Sequence, residues 1–558
     1  MFRKVAISFI GRSYECEIKM TDTTMEETGN CLLAIENSYQ PQTVTLTNCT
    51  FSDSQDSSTS YNRYIDIPSK NSNIEIDQCS FNISNSYRLY TEGRAKVTNN
   101  TFESKGNITL SLNNQSDTET VFSGNKVTGQ YTRLTAHNLE ELKNNHYDNF
   151  VAYFISPFNN NTIDFLTEEI DIKEPLECID NTTCTKKAFL SFSNGDIGLD
   201  ERYKDFFCGL KLENATTAIV TGLELGNIPL FLYETPAFSG SGSLLELTDC
   251  TIDNTSSRYA SIKIDFTNAT LTNCTVKGKD SVTGAIQLKG NLTVDNSEIK
   301  GDIRRYSSDF DANIKLKNGS KCIDVYDDSK PATLFGHNIT VSENSSAGSI
   351  ISDNNGTVIV SDDSTLAGYI NAIPGTVILK DCTFDGNNQT YLTNINTTTL
   401  TIDNCTFKNC TNKSTYQGGG AIGIKATKVE IINETKFIDN ITEHWRGGAV
   451  YINAKDVKLS NCTFSGNKNL EVNARHAGGG AVAITCGQDN VKAVISNCTF
   501  TNNSCAVENT GTDMWMSAIF TKENSDEIAE EHSGCTLEIS GCNIDLSSNS
   551  VHTNNINK

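Results

Sequence analysis

Apolar positions in residues 377–503 recur with a broken parity. An aliphatic residue is followed three positions later by Cys and five positions later by Phe, as in Leu379, Cys382, Phe384 and in Leu459, Cys462, Phe464. A strand places residues i and i+2 on one face, so Leu459 and Cys462 both face inward only if the chain turns a corner between them. The corner position holds Asp381, Asn404, Asn461, Asn497 or Gly541, types that tolerate the left-handed backbone region. A second asparagine three residues after the Phe (Asn387, Asn440, Asn467, Asn503) marks the next bend, and glycine pairs containing Gly419, Gly448 and Gly479 lead into the following strand. One repeat therefore reads as strand, corner, strand, bend, strand.

Such units bury a core only by stacking on one another, which is the logic of a solenoid. The pattern predicts an all-β, single-stranded parallel β-helix with equivalent side chains above one another at about 4.8 Å. Phe384, Phe407, Phe437, Phe464 and Phe500 then form one inward stack, and Cys382, Cys405, Cys462 and Cys498 one row. Asn404, Asn461 and Asn497 turn the corners. These residues read as packing and turning groups rather than as chemistry.

The same phrase divides the chain. Residues 1–136 carry early copies (VTLTNCTF, IEIDQCSF, KVTNNTF) behind MFRKVAISFIGR, whose apolar patch is short for a signal peptide and reads as a capping strand or truncated leader. In 137–239 the pattern lapses into aromatic-rich coils or an insertion containing Cys178 and Cys184, a pair able to close a small loop. Copies return in 240–376, where Cys250, Cys274 and Ser297 set a rung of roughly two dozen residues. Residues 377–504 are the most regular, and 505–558 form a last coil and cap.

Composition narrows the function classes. The net charge of −23 over 558 residues argues against nucleic acid, which needs a basic footprint. The same charge disfavours anionic membrane surfaces. No apolar run approaches the roughly 18 residues of a membrane helix. Nine of the 19 cysteines (Cys49, Cys79, Cys250, Cys274, Cys382, Cys405, Cys462, Cys498 and Cys542) occupy inward slots, where a thiol behaves as a small hydrophobe, and the remaining ten are open to loop bridges. With no CxxC pair and 7 scattered histidines, neither a metal site nor a cofactor is expected. Asn-x-Ser/Thr sequons are dense (Asn82, Asn107, Asn214, Asn291, Asn338, Asn388, Asn433) and suggest a secreted glycoprotein, although those at Asn48, Asn273, Asn404, Asn461 and Asn497 arise from the corner itself.

Alternating FxxN (Phe384 to Asn387, Phe437 to Asn440, Phe464 to Asn467, Phe500 to Asn503) and GGA[ILV] (Gly419 to Ile422, Gly447 to Val450, Gly479 to Val482) resembles the repeat of chlamydial polymorphic outer membrane proteins and related trichomonad surface proteins. The resemblance implies an elongated right-handed β-helix at a cell surface or outside the cell, used in adhesion to a host-cell or extracellular protein or glycan. The polar end SSNSVHTNNINK carries no autotransporter barrel signal. Binding is expected in loops between copies, which vary while the motif does not. The candidate contacts are Tyr416, Arg475, His476 and Trp515, although Trp515 equally suits a cover for the coil end. Two alternatives stand beside this non-enzymatic reading. One is a pectate-lyase-like polysaccharide lyase or hydrolase, for which Asp327 with Asp328, Asp362 with Asp363 and the Gly336-His337-Asn338 fragment are the only candidates. The other is a purely structural assembly protein.

Overall fold

The computed structural model describes residues 2–3, 7–10, 15–27, 33–36, 40–53, 63–83, 86–104, 106, 108–112, 121–128, 132–136, 146–147, 150–158, 171–172, 188–201, 207–226, 236–253, 260–278, 284–306, 311–328, 330–353, 355–386, 392–415, 417–473, 476–486, 488–507, 510–511, 513–517, 519–521, 528–544, 550–554 and 556. Among them there is no α-helix. Packing divides the chain into two compact units, Met1–Asn268 and Ala269–Lys558. Each is built of parallel strands stacked coil on coil, a parallel β-helix.

In the first unit, one wall stacks Cys16–Thr21, Gln42–Thr47, Asn73–Asp77, Arg94–Thr98 and Val121–Ser123. Left-handed corners at Asn48, Gln78, Asn99 and Gly124 (φ of 51°, 56°, 56° and 70°) lead to a second wall of Thr50–Asp53, Ser80–Ile83, Thr101–Ser104 and Lys126–Thr128. Its inward rings Phe51, Phe81 and Phe102 stack at 4.9 and 5.0 Å. Asn100 and Asn125 replace Cys in the slot after the corner. Buried there, Asn100 donates from Nδ2 to Ile76 O and to Asn125 Oδ1, so the polar substitution is satisfied between coils. Part of the segment that lacks the motif is still coil-like: Phe150–Phe158, Ala188–Leu199, Phe207–Thr221 and Phe238–Thr248 pair in parallel succession. Cys178 and Cys184 lie outside the described residues.

In the second unit, the most regular coils have four segments. Ile422–Lys425, Val450–Asn453, Val482–Thr485 and Met514–Ser517 form the wall after the glycines. Lys428–Ile432, Asp456–Ser460, Lys492–Ser496 and Thr536–Ser540 form the next. In Gly368–Lys380 and Leu392–Asp403 these two segments run as one strand. Beyond the corner stand Thr383–Asp385, Thr406–Lys408, Lys436–Ile438, Thr463–Ser465 and Thr499–Thr501. A fourth ladder of two-residue strands follows, Thr411–Asn412, Ile441–Thr442, Lys468–Asn469 and Ser504–Cys505. Antiparallel pairing occurs in a ribbon of Ile519–Thr521 with Ile528–Glu531 and in an isolated bridge between Ile323 and Pro331.

Side-chain columns hold this stack together. Phe384, Phe407, Phe437, Phe464 and Phe500 are fully buried, with successive centroids 4.8, 4.9, 5.0 and 4.8 Å apart. Each ring adds about 0.5–1.5 kcal/mol of stacking beyond its burial. Asp381, Asn404, Asn461, Asn497 and Gly541 have φ between 50° and 62°. Across the corner face, Asn404 Nδ2 donates to Asp381 Oδ1 at 2.7 Å. The copy ending at Asn440 departs from the motif spacing. Its corner has two left-handed residues, Asn433 and Glu434 (53° and 61°), so Thr435 rather than Cys enters the slot and its hydroxyl donates to Ile432 O. Asp362 and Asp363 (56° and 55°) make the same two-residue corner before Ser364.

At the second bend the left-handed residue is the one before the motif asparagine, namely Asp439, Gly466 and Asn502 (52°, 70° and 56°). That half-turn rotates the next side chain inward. Asn440 and Asn467 are fully buried, and their amides form a ladder. Asn440 Nδ2 donates to Phe407 O and Asn467 Oδ1, Asn467 Nδ2 to Phe437 O and Asn503 Oδ1, and Asn503 Nδ2 to Phe464 O and Asp513 Oδ1. Asn387 lies outside the described residues.

Candidate functional site

The loops between the two-residue ladder and the glycine-led wall are where the coils differ. The glycine turn that ends each loop is set by backbone conformation. Gly419 and Gly479 have φ of 85° and 69°, whereas a Cβ on Gly448 would run into the Gly480 carbonyl of the next coil. Short glycines also let large rings lie close: a Cβ on Gly418 would meet Trp445 and Tyr451, and one on Gly478 would meet the indole of Trp515, each at 2.7 Å.

These rings form one cluster. Trp445 stacks on His476 with centroids 4.5 Å apart. The Arg446 guanidinium lies 4.3 Å from the centroid of Trp515 and 6.0 Å from that of Trp445. Trp515 occupies the outward position of its strand, in register with Ala483 and, one coil further back, Tyr451. Small Ala483 leaves room for the arrangement. Trp515 is only 7% exposed, and burial pulls the Arg446 guanidinium below its ordinary range, partly offset by Tyr451. Tyr451 in turn hydrogen-bonds the Thr485 hydroxyl at 3.1 Å.

Side-chain hydrogen bonds tie down the neighbouring residues 469–473. Asn469 Nδ2 donates to Gly478 O, and the Glu471 carboxylate, 9% exposed as a residue, accepts from Asn473 N at 2.8 Å. With Glu471 turned in, Leu470 and Val472 stand out at 46% and 83% exposure. The surface thus combines a stacked Trp445–His476 pair with two projecting aliphatic side chains, a composition suited to contact with an amphipathic partner.

The candidates read from the sequence fall into three groups. The Phe, Cys, Asn and Gly positions lie in the walls and turns, and the cysteines are free thiols. Hydrogen bonding to the Cys498 thiol, then burial, pushes the Cys462 thiol up, while burial above all, with Cys49 beside it, carries Cys79 up to about 12. His476 and Trp515 belong to the cluster, joined through Trp445 and Arg446. Tyr416 and Arg475 lie outside the described residues. Trp445, Arg446 and Tyr451 escaped the sequence reading. The signal for Trp445 and Arg446 was the HWRGGA string, which sets one of only 2 tryptophans beside an arginine immediately before a glycine pair.

The acidic pairs weighed for polysaccharide chemistry are held elsewhere. Asp327 pairs with Lys330 and Asp328 with Lys300, each at 3.0 Å. His337 Nδ1 lies 2.9 Å from Asp353 O. Among the described residues no three His, Cys, Asp or Glu side chains converge as metal ligands. Nor is any helix among them long and apolar enough to cross a membrane. The chain matches no family model, and a search of curated proteins returns no match.

Proposed function

We propose that this chain is a non-enzymatic binding platform, displayed on a cell surface or secreted as a glycoprotein, and that it acts as an adhesin for a host-cell or extracellular protein or glycan. The observation that carries the reading is the Trp445–His476 stack beside exposed Leu470 and Val472 on loops anchored to a regular coil. Recognition residues sit on loops positioned by a rigid scaffold, and aromatic side chains supply large contact area at low entropic cost. The alternating FxxN and GGA[ILV] phrases, which resemble those of surface-displayed polymorphic outer membrane proteins, support the location. The polysaccharide-lyase alternative draws less support, since Asp327 and Asp328 are engaged by lysines and Asp362 and Asp363 form a corner.

Location is tested on intact cells that make the protein. Exogenous protease is expected to remove the chain, or antibody to label it, without lysis. Protection from both until the cells are broken open would end the adhesin reading.

A further inference from the structure

The sequons of this chain differ in what the fold does with their asparagine. Most described ones are outward. Asn82 is exposed on Ser80–Ile83, and Asn404 and Asn461 are exposed at corners. Two are not. Asn440 of Asn440-Ile441-Thr442 is fully buried, and Asn412 of Asn412-Lys413-Ser414 is 4% exposed. Both amide hydrogens are in use at each. Asn440 Nδ2 donates to Phe407 O at 3.0 Å and Asn467 Oδ1 at 2.9 Å. Asn412 Nδ2 donates to Gln417 O at 3.0 Å and Gly419 O at 2.9 Å.

We infer that N-glycosylation of this protein is compatible with folding at its outward sequons and excluded at Asn412 and Asn440, so that the folded glycoform carries sugar at sites such as Asn82 and none at these two. In the transfer, an Nδ2–H is replaced by a bond from Nδ2 to C1 of the sugar. The C1–O bond to a lipid-linked diphosphate donor breaks, the diphosphate leaves with the electron pair, and the amide proton passes to base. Asn404 gives one amide hydrogen to Asp381 and retains a second for replacement. Asn440 has no hydrogen to lose without breaking its Nδ2 bond to Phe407 O or to Asn467 Oδ1, which also accepts from Asn440 N, and the attached sugar would have to occupy the buried space between Phe407 and Asn467. Asn412 meets the same conflict inside its loop, at the glycine turn that starts the wall.

The sequon can be removed without touching the asparagine. The buried Thr442 hydroxyl finds no hydrogen-bond partner, so Thr442→Val deletes the acceptor signal while keeping shape and losing no bond. Ser414 contacts Asn412 Oδ1 through its backbone N, and Ser414→Ala preserves that contact. Thermal denaturation of protein made in a non-glycosylating host is expected to show Thr442→Val as stable as the parent and Ser414→Ala folded.

The full chain, carrying a secretion leader, is then produced in a host that attaches N-glycans, and each site is mapped by glycopeptide mass spectrometry on the folded, secreted fraction. Sugar at Asn82 with none at Asn412 or Asn440 is expected, together with a several-fold rise in secreted yield for Ser414→Ala combined with Thr442→Val. Sugar on either buried asparagine in the folded fraction overturns the inference, and so does an unmodified Asn82. If the parent is wholly retained in the cell, rescue by the double variant supports the inference and failure of rescue overturns it.

Discussion

Arg446 lays its guanidinium 4.3 Å from the ring centroid of Trp515, a contact between a loop and the outer face of a strand two coils further along. It adds a side-chain tie, spanning two coils, to the backbone ladder that already joins these coils. Cation–π contact in a desolvated setting contributes about 2 kcal/mol. The planar guanidinium lies against the rings in a way an ammonium does not reproduce.

Arg446→Lys is therefore expected to lower stability by about 1–2 kcal/mol and to loosen this corner before the core. Tryptophan emission reads the cluster alone, because the chain has only 2 tryptophans and both belong to it. Trp445→Phe leaves Trp515, whose emission should be blue-shifted as befits 7% exposure. Arg446→Lys in that background should shift it to the red. Unchanged emission would mean the arginine does not seal the ring.

Phe464 sits between Phe437 and Phe500 at 5.0 and 4.8 Å. Phe464→Ala should cost about 3–5 kcal/mol, and Phe464→Leu distinctly less. Denaturant titration followed by circular dichroism checks both. A loss under about 1 kcal/mol for the alanine variant would show that the column is not a principal support.

Much of this was legible because the motif breaks strand parity at one place. Leu459, Cys462 and Phe464 can share an interior only around a corner, and Asn461 supplies it with φ of 58°. What escaped had no periodicity to betray it. The two-residue strands Thr411–Asn412 and Ile441–Thr442 are too short for any pattern. The two-residue corner at Asn433 and Glu434 hides behind a motif that looks unchanged apart from Thr435. At the site, His476 and Trp515 stood out as loop residues of unusual type, but the partner that joins them, Arg446, is set by stacking of coils rather than by local sequence.

The corner itself gives a sharp contrast. Asn461→Gly should change stability by no more than about 1 kcal/mol, since glycine adopts positive φ freely. Asn461→Val places a β-branched residue in the left-handed region and should cost clearly more, on the order of 2 kcal/mol. Equal melting temperatures for the two variants would contradict the corner geometry.

The buried thiols impose a dependence on alkaline pH. Burial raises Cys79 from 9.0 to about 12, and the Cys382 thiol is raised by hydrogen bonding to Cys405 and then by burial. A folded-state pKa above the unfolded one contributes stability that is complete below pH 9 and declines as pH rises toward 12. The slope is about 1.4 kcal/mol per pH unit for each such thiol. Urea midpoints should fall between pH 9 and 10.5, and Cys79→Ala should reduce the slope after its own packing loss. A flat profile would show that the thiol row ionises as freely folded as unfolded.

The central claim is that recognition resides in the loops while the walls only carry them. It is tested by attachment of beads coated with the parent protein, or with a variant combining Trp445→Ser, Leu470→Ser and Val472→Ser, to cells and matrix preparations, once circular dichroism shows the fold intact. The parent is expected to attach, and the variant to lose most of that attachment. Undiminished attachment of the variant, or no attachment by the parent together with turnover of an acidic polysaccharide that Asp327→Asn abolishes, would contradict it.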